Sequence, residues 1–60
     1  MQNKYEIVVG GFTFMMVDDN TIEIWGGGEF PDSFIYLRDG EITNKVQFEK
    51  EVGFWIMRNT

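Results

Sequence analysis

Apolar residues occupy every second position of two short runs, at 5, 7 and 9 and at 12, 14 and 16. Gly10-Gly11 separates the two runs. Alternation with a period of two predicts β-strands that each bury one face. Two glycines between such strands predict a tight hairpin, because glycine adopts positive φ without steric cost. A two-residue turn gives three facing pairs that all lie on one side of the sheet: Val9 with Phe12, Ile7 with Phe14, and Tyr5 with Met16.

The second turn lies within the polar stretch that follows Val17. A two-residue loop at 19–20 would bring the carboxylate of Glu23 onto the apolar face. A three-residue loop at 18–20 keeps that face apolar, and it usually ends in a left-handed residue, a conformation that Asn20 tolerates. Since a slip of one residue moves every side chain to the other face, we expect the three-residue loop. It predicts two further pairs: Met16 with Ile22, and Phe14 with Ile24.

A fourth strand is predicted from Phe34 to Arg38, with Ile35 and Leu37 on the same inner face. Asp39-Gly40 after it is a strong turn signal.

The segment from Thr43 onward fits two patterns. Apolar residues at even spacing are typical of a strand: Val46, Phe48, Val52, Phe54 and Ile56. Four residues have the spacing of one helical face: Phe48, Val52, Trp55 and Ile56. We expect a helix, because the segment is long for a strand, lacks a turn signal at 49–51 and is rich in helix formers. Thr43 or Asn44 can serve as its N-cap, and Gly53 costs it about 1 kcal/mol relative to alanine.

These elements predict an α+β fold in a single small domain over residues 1–60. It is a four-stranded antiparallel β-meander with a C-terminal helix packed on one face. The alternative, if the last segment is a strand, is an all-β small barrel.

Composition removes several kinds of chemistry. The 60 residues include no cysteine and no histidine, so disulfides, thiolate metal sites and histidine-based catalysis are excluded. The net charge is -5, and residues 18–41 carry seven acidic side chains against the single base Arg38. This acidity repels phosphate backbones, so we expect no direct nucleic-acid binding, whereas a basic protein surface would be attracted.

The stretch 25–33, WGGGEFPDS, resembles a ligand loop only superficially. Its glycines match neither of the two glycine spacings that are typical of phosphate-binding loops. No basic residue lies between Thr21 and Leu37 to neutralise a phosphate. We interpret it as a corner leading to the fourth strand. Acidic pairs in this region, such as Glu29 with Asp32, match no calcium-loop pattern. We predict no catalytic, metal or cofactor residues, and an enzyme is the least favoured class.

The outer face of the predicted sheet is unusually apolar for a face in water. Aromatic and methionine side chains of the kind enriched in interface cores recur there, and we predict an interface formed by Met15, Val17, Trp25, Phe34 and Tyr36. An acidic rim is predicted from Asp18, Asp19, Glu23, Glu29 and Asp32. The alternative is that the terminal helix, or the loop at Phe30, covers this face within the same chain.

The function expected from these features is that of a small acidic protein-interaction module that forms a homodimer through the outer face. The alternative is a small inhibitor that docks on a basic host protein. Chains of this composition are common among small phage reading frames, some of which inhibit host proteins. The start of the chain lacks the apolar segment of a signal peptide, and no run is long enough to span a bilayer. We therefore expect a cytoplasmic protein without a membrane partner.

Overall fold

The computed structural model describes residues 4–60 and contains four strands followed by one helix. The elements are β1 (Glu6–Val9), β2 (Phe12–Asp18), β3 (Thr21–Trp25), β4 (Ser33–Tyr36) and α1 (Lys45–Arg58). The strands form one open antiparallel sheet in the order β1-β2-β3-β4. The predicted α+β meander with a C-terminal helix is confirmed. The all-β barrel is wrong, because the last segment forms a helix and the sheet does not close.

The first hairpin has the predicted register. Two of its pairs lie within the strands: Val9 opposite Phe12, and Ile7 opposite Phe14. The third lies just before β1, where the carbonyl of Tyr5 accepts a hydrogen bond of 2.9 Å from the N–H of Met16. Gly10 and Gly11 have φ values of 59° and 84°, so both turn residues use the left-handed region that glycine allows.

The turn between β2 and β3 differs from the prediction in one detail. The pairs of Met16 with Ile22 and of Phe14 with Ile24 are present. However, Asp18 rather than Val17 lies opposite Thr21, so a β-bulge at Val17 takes up the extra residue and the loop contains only residues 19–20. The three-residue loop is therefore wrong, because the bulge keeps the inner face in register while the turn stays tight. None of the described non-glycine residues has a positive φ, and this includes Asn20.

The second turn also binds the segment that follows β4. The carbonyl of Asn20 accepts a hydrogen bond of 2.9 Å from the N–H of Leu37, and that of Asp19 accepts one of 2.7 Å from the N–H of Ile42. Ile42 is buried. β4 ends at Tyr36, two residues before the predicted end, and the following segment is anchored to the turn and enters the core side of the sheet.

Polar side chains cap the N-terminus of the helix. The side-chain oxygen of Asn44 accepts a hydrogen bond of 2.8 Å from the N–H of Gln47. The side-chain oxygen of Gln47 in turn accepts one of 2.9 Å from the N–H of Thr43. This reciprocal arrangement satisfies backbone donors that a helix start leaves free. Asn44 is therefore the N-cap, one of the two predicted candidates.

The predicted stripe of α1 packs against the inner face of the sheet. Phe48 lies 5.7 Å from the ring of Tyr5, and Trp55 packs edge-on against Phe12 and Phe14 at 5.7 and 5.6 Å. The buried core consists of Phe14, Met16, Ile22, Ile24, Ile35, Ile42, Phe48 and Val52. No polar or charged side chain within residues 4–60 is buried. The fold is thus one apolar layer between a sheet and a helix.

The glycine inside α1 provides a test of this arrangement. A Cβ added to Gly53 meets no atom within 4 Å, so Gly53→Ala should stabilise the protein by about 1 kcal/mol through helix propensity. Gly40→Ala is the matched control: its Cβ also meets nothing within 4 Å, but its φ of 90° disfavours alanine. It should destabilise by about 1 kcal/mol. Urea unfolding of both variants measures the free energies; a loss of stability in Gly53→Ala would contradict the helical placement.

Candidate interaction surface

The outer face is the side of the sheet opposite α1. The strand register places Met15, Glu23 and Phe34 side by side across β2, β3 and β4. In the next row toward the glycine loop Trp25 lies opposite Thr13, and in the next row toward the second turn Tyr36 lies opposite Thr21. Four of the five predicted interface residues therefore share one face as neighbours, while Val17 lies in the bulge without a strand partner.

Both aromatic residues of β4 are exposed on the outer face. Tyr36 is 68% exposed and Phe34 is 41% exposed, whereas Met15, Val17 and Trp25 are half-buried by their neighbours. The rings of Phe34 and Tyr36 stack on each other, with centroids 5.8 Å apart and planes 21° apart. β4 therefore presents a continuous aromatic surface to its surroundings.

No segment of the described chain shields these two rings. The helix packs against the inner face, as the contacts of Phe48 and Trp55 show. Phe30, in the loop before β4, is itself 75% exposed. Within residues 4–60, neither the helix nor the Phe30 loop covers the rings of β4, because the helix packs against the inner face. The alternative that one of them does is therefore wrong.

One carboxylate on this face, that of Glu23, has a hydrogen-bond partner. The indole Nε1 of Trp25 donates a hydrogen bond of 3.1 Å to Oε1 of Glu23. Glu23 lies between Met15 and Phe34, in the middle of the face rather than at its margin. The pair gives the half-buried indole a polar partner and fixes its orientation beside the aromatic residues.

The other rim residues form two groups at opposite ends of β3. Asp18 and Asp19 precede the strand, and the carboxylate of Asp18 accepts a hydrogen bond of 2.7 Å from the N–H of Asp19. Glu29 and Asp32 follow the strand and are exposed. Within residues 4–60, no three acidic side chains come together in a way that could hold a metal ion.

The glycine loop is explained by the geometry of a corner. A Cβ on Gly26 would collide with the carboxylate of Asp32 and come within 3.2 Å of the ring of Phe12. Gly27 has a φ of 102°, which requires glycine. The N–H of Asp32 then donates a hydrogen bond of 2.7 Å to the carbonyl of Ile24, which closes the loop back onto β3. Gly26 therefore allows the close approach of Asp32 and Phe12, and Gly27 allows the turn.

Sequence reasoning did not identify a second exposed apolar group. Val46, Phe54 and Met57 lie on α1 and are 72%, 50% and 75% exposed. Spacings of eight and three residues place them near one another on a helix, a signal that becomes visible once Asn44 is fixed as the N-cap. In the sequence, Val46 and Phe54 contribute only to the even spacing that is typical of a strand.

A shallow groove lies between the first hairpin and the end of α1. Its volume is about 150 Å³, and it is lined by Val9, Gly10, Phe12, Trp55, Ile56, Asn59 and Thr60. Small-molecule sites are usually at least about 300 Å³. The groove is smaller than this, and no acidic or basic side chain lines it.

No protein-family model matches the sequence, and no curated protein or solved structure is significantly similar to it. Among residues 4–60, no helix combines the length and the apolar character needed to cross a bilayer. Function is therefore inferred from the residues of this chain alone.

The corner interpretation predicts that neighbouring glycines respond differently to the same change. Gly26→Ala should destabilise by about 1 kcal/mol or more, because the added methyl group displaces Asp32 and presses on Phe12. Gly28→Ala should change stability by less than about 0.5 kcal/mol, because its nearest atom is the carbonyl oxygen of Phe30 at 4.0 Å. Thermal unfolding of the two variants compares them directly. Equal effects would mean that the corner does not constrain Gly26.

Proposed function

We propose that this protein is a small interaction module that associates with a second copy of itself through the outer face, and that it is not an enzyme. The observation that carries this proposal is the stacked, exposed pair of Phe34 and Tyr36 on β4. Large aromatic side chains are enriched in protein interfaces, where they bury much area at little cost in side-chain entropy.

The distribution of charge supports self-association despite the net charge of -5. Asp18 and Asp19 lie before β3, and Glu29 and Asp32 lie after it, so these acids can stay solvated while the middle of the face is covered. Glu23 in the middle already accepts a hydrogen bond from Trp25. Symmetric dimers are the commonest assembly of soluble proteins and need only one self-complementary patch.

The second candidate is a phage-type inhibitor that docks on a basic protein surface in the cytoplasm. What favours it is the exposure of Asp18, Glu29 and Asp32 beside the same aromatic residues. Such a complex would form faster at low salt, because exposed charges steer encounter and are screened by ions. This candidate requires a monomer that keeps its aromatic face free, so the oligomeric state separates the two.

The proposal predicts that Trp25→Lys disrupts the dimer and leaves the fold intact. A lysine at this position is half-exposed and faces Glu23, so the monomer tolerates its charge, whereas burial of that charge in an interface is costly. Light scattering on a size-exclusion column over a wide dilution series should give a dimer mass for the wild type and a monomer mass for the variant.

The matched control is the other tryptophan. Trp55→Lys places a charge against Phe12 and Phe14 and should unfold the protein, as measured by circular dichroism. Unfolding of Trp25→Lys as well would assign Trp25 to the core and overturn the outer face. A wild type that is monomeric at every concentration would reject self-association and leave the inhibitor.

A further inference from the structure

The segment between β4 and α1 contains the single Asp-Gly pair of the chain. Asp39 is followed by Gly40, whereas the other three aspartates and all four asparagines are followed by residues that have a side chain. An aspartate before glycine can react with its own backbone, because the next residue has no Cβ to hinder the approach of its nitrogen to the carboxyl carbon. The sequence therefore places one reactive pair in this connection.

The structure leaves this pair accessible. Both residues are exposed, and the chain bends at residues 38–40 outside any helix or strand. Beyond the neighbouring residues, no atom lies within 4 Å of a Cβ built on Gly40. Within residues 4–60, no backbone hydrogen bond outside the helix and strands uses the N–H of Gly40. The fold therefore does not hold this nitrogen away from the carboxyl group of Asp39, and the exposed loop tip has room to bring the two together.

We propose that the folded protein converts Asp39 into isoaspartate, and that this conversion releases Ile42 from the second turn. The amide nitrogen of Gly40 attacks Cγ of the protonated Asp39 carboxyl group. A C–N bond forms, the C–O bond to the hydroxyl breaks, and the hydroxyl leaves with the amide proton as water, which gives a succinimide ring. Water then cleaves the bond between the ring nitrogen and the main-chain carbonyl carbon, so the chain continues through Cγ. One water is released and one is consumed, and no other reactant is needed.

Asp32 provides a comparison within the same chain. It is exposed like Asp39, but the next residue, Ser33, has a side chain and belongs to β4, where it lies opposite Ile24. The N–H of Asp32 also donates a hydrogen bond of 2.7 Å to the carbonyl of Ile24. The backbone on both sides of this carboxyl group is therefore fixed to β3, which hinders its approach to the nitrogen of Ser33.

The conversion lengthens a connection that is fixed at both ends. The N–H of Leu37 bonds to the carbonyl of Asn20, and that of Ile42 bonds to the carbonyl of Asp19, so residues 38–41 span two fixed points. Isoaspartate carries its β-carbon in the main chain and therefore adds one atom to this span. Leu37 directly follows β4 and stays with the sheet, so we expect Ile42 to lose its hydrogen bond and part of its burial.

Ageing of the folded protein in neutral buffer tests the modification. Cleavage after glutamate releases a peptide of residues 30–41, which contains both Asp39 and Asp32. Mass spectrometry should first find a fraction that is lighter by one water, the succinimide, and later a separable isomer of unchanged mass. Electron-transfer fragmentation should assign both products to Asp39. Conversion at neither aspartate, or to the same extent at both, would overturn the proposal.

Two substitutions at the same position serve as controls. Asp39→Glu keeps the charge, but its extra methylene group requires a larger ring that forms more slowly, so this variant should stay unmodified over the same period. Asp39→Asn reaches the same succinimide by loss of ammonia and should convert faster than the wild type. A wild type that converts in urea but not when folded would show that the loop protects Asp39, and this result would also overturn the proposal.

Amide hydrogen exchange of the purified isoaspartate form tests the structural consequence. The amide of Ile42 should exchange faster than in the unaged protein, because its hydrogen bond to Asp19 is lost, while that of Leu37 should be unchanged. The melting temperature should also fall, since Ile42 belongs to the core. Unchanged exchange at Ile42 would mean that the connection absorbs the extra atom, and the release of Ile42 would be wrong.

Discussion

The structure depends on the fact that one helix can cover only one face of a sheet. A sheet is stable in water when at least one of its faces is buried, and residues 4–60 contain a single helix with which to bury it. Phe48, Val52 and Trp55 meet the inner face, and no side chain of the described residues is left to form a third layer over the rings of β4. The position of the helix therefore leaves the outer face of the sheet uncovered.

The second turn decides which face receives the helix. The carbonyls of Asp19 and Asn20 bind the N–H groups of Ile42 and Leu37, so the chain that leaves β4 is held against the end of β2 and β3. Ile42 is drawn into the core, and the cap at Asn44 starts the helix within a few residues. A short, anchored connection of this kind leaves the helix little freedom to reach the outer face.

Most of this architecture could be predicted from the sequence, because the apolar positions specify the register. A shift of one residue would have moved Phe14 and Ile24 to opposite faces, so the pattern alone decided that pairing. The bulge at Val17 could not be predicted, since it changes the length of the turn without changing the apolar pattern. The position of Glu23 was misjudged for a related reason: the rim was inferred from charge along the chain, whereas its place in the middle of the face follows from the pairing with Met15 and Phe34. Ile42 gave no periodic signal, because it is a single apolar residue between two turns.

The fold itself does not require aromatic residues at positions 34 and 36. Their side chains lie on the face opposite the core, so threonine would serve the strand equally well there and would leave Ile35 and the inner packing unchanged. Exposed aromatic residues on an edge strand also invite unwanted association, which proteins usually limit with charges and short strands. Here β4 has only four residues and is followed by the charged Arg38, and both features limit such pairing. A short edge of this kind limits indiscriminate pairing, while the rings of Phe34 and Tyr36 stay exposed on the outer face.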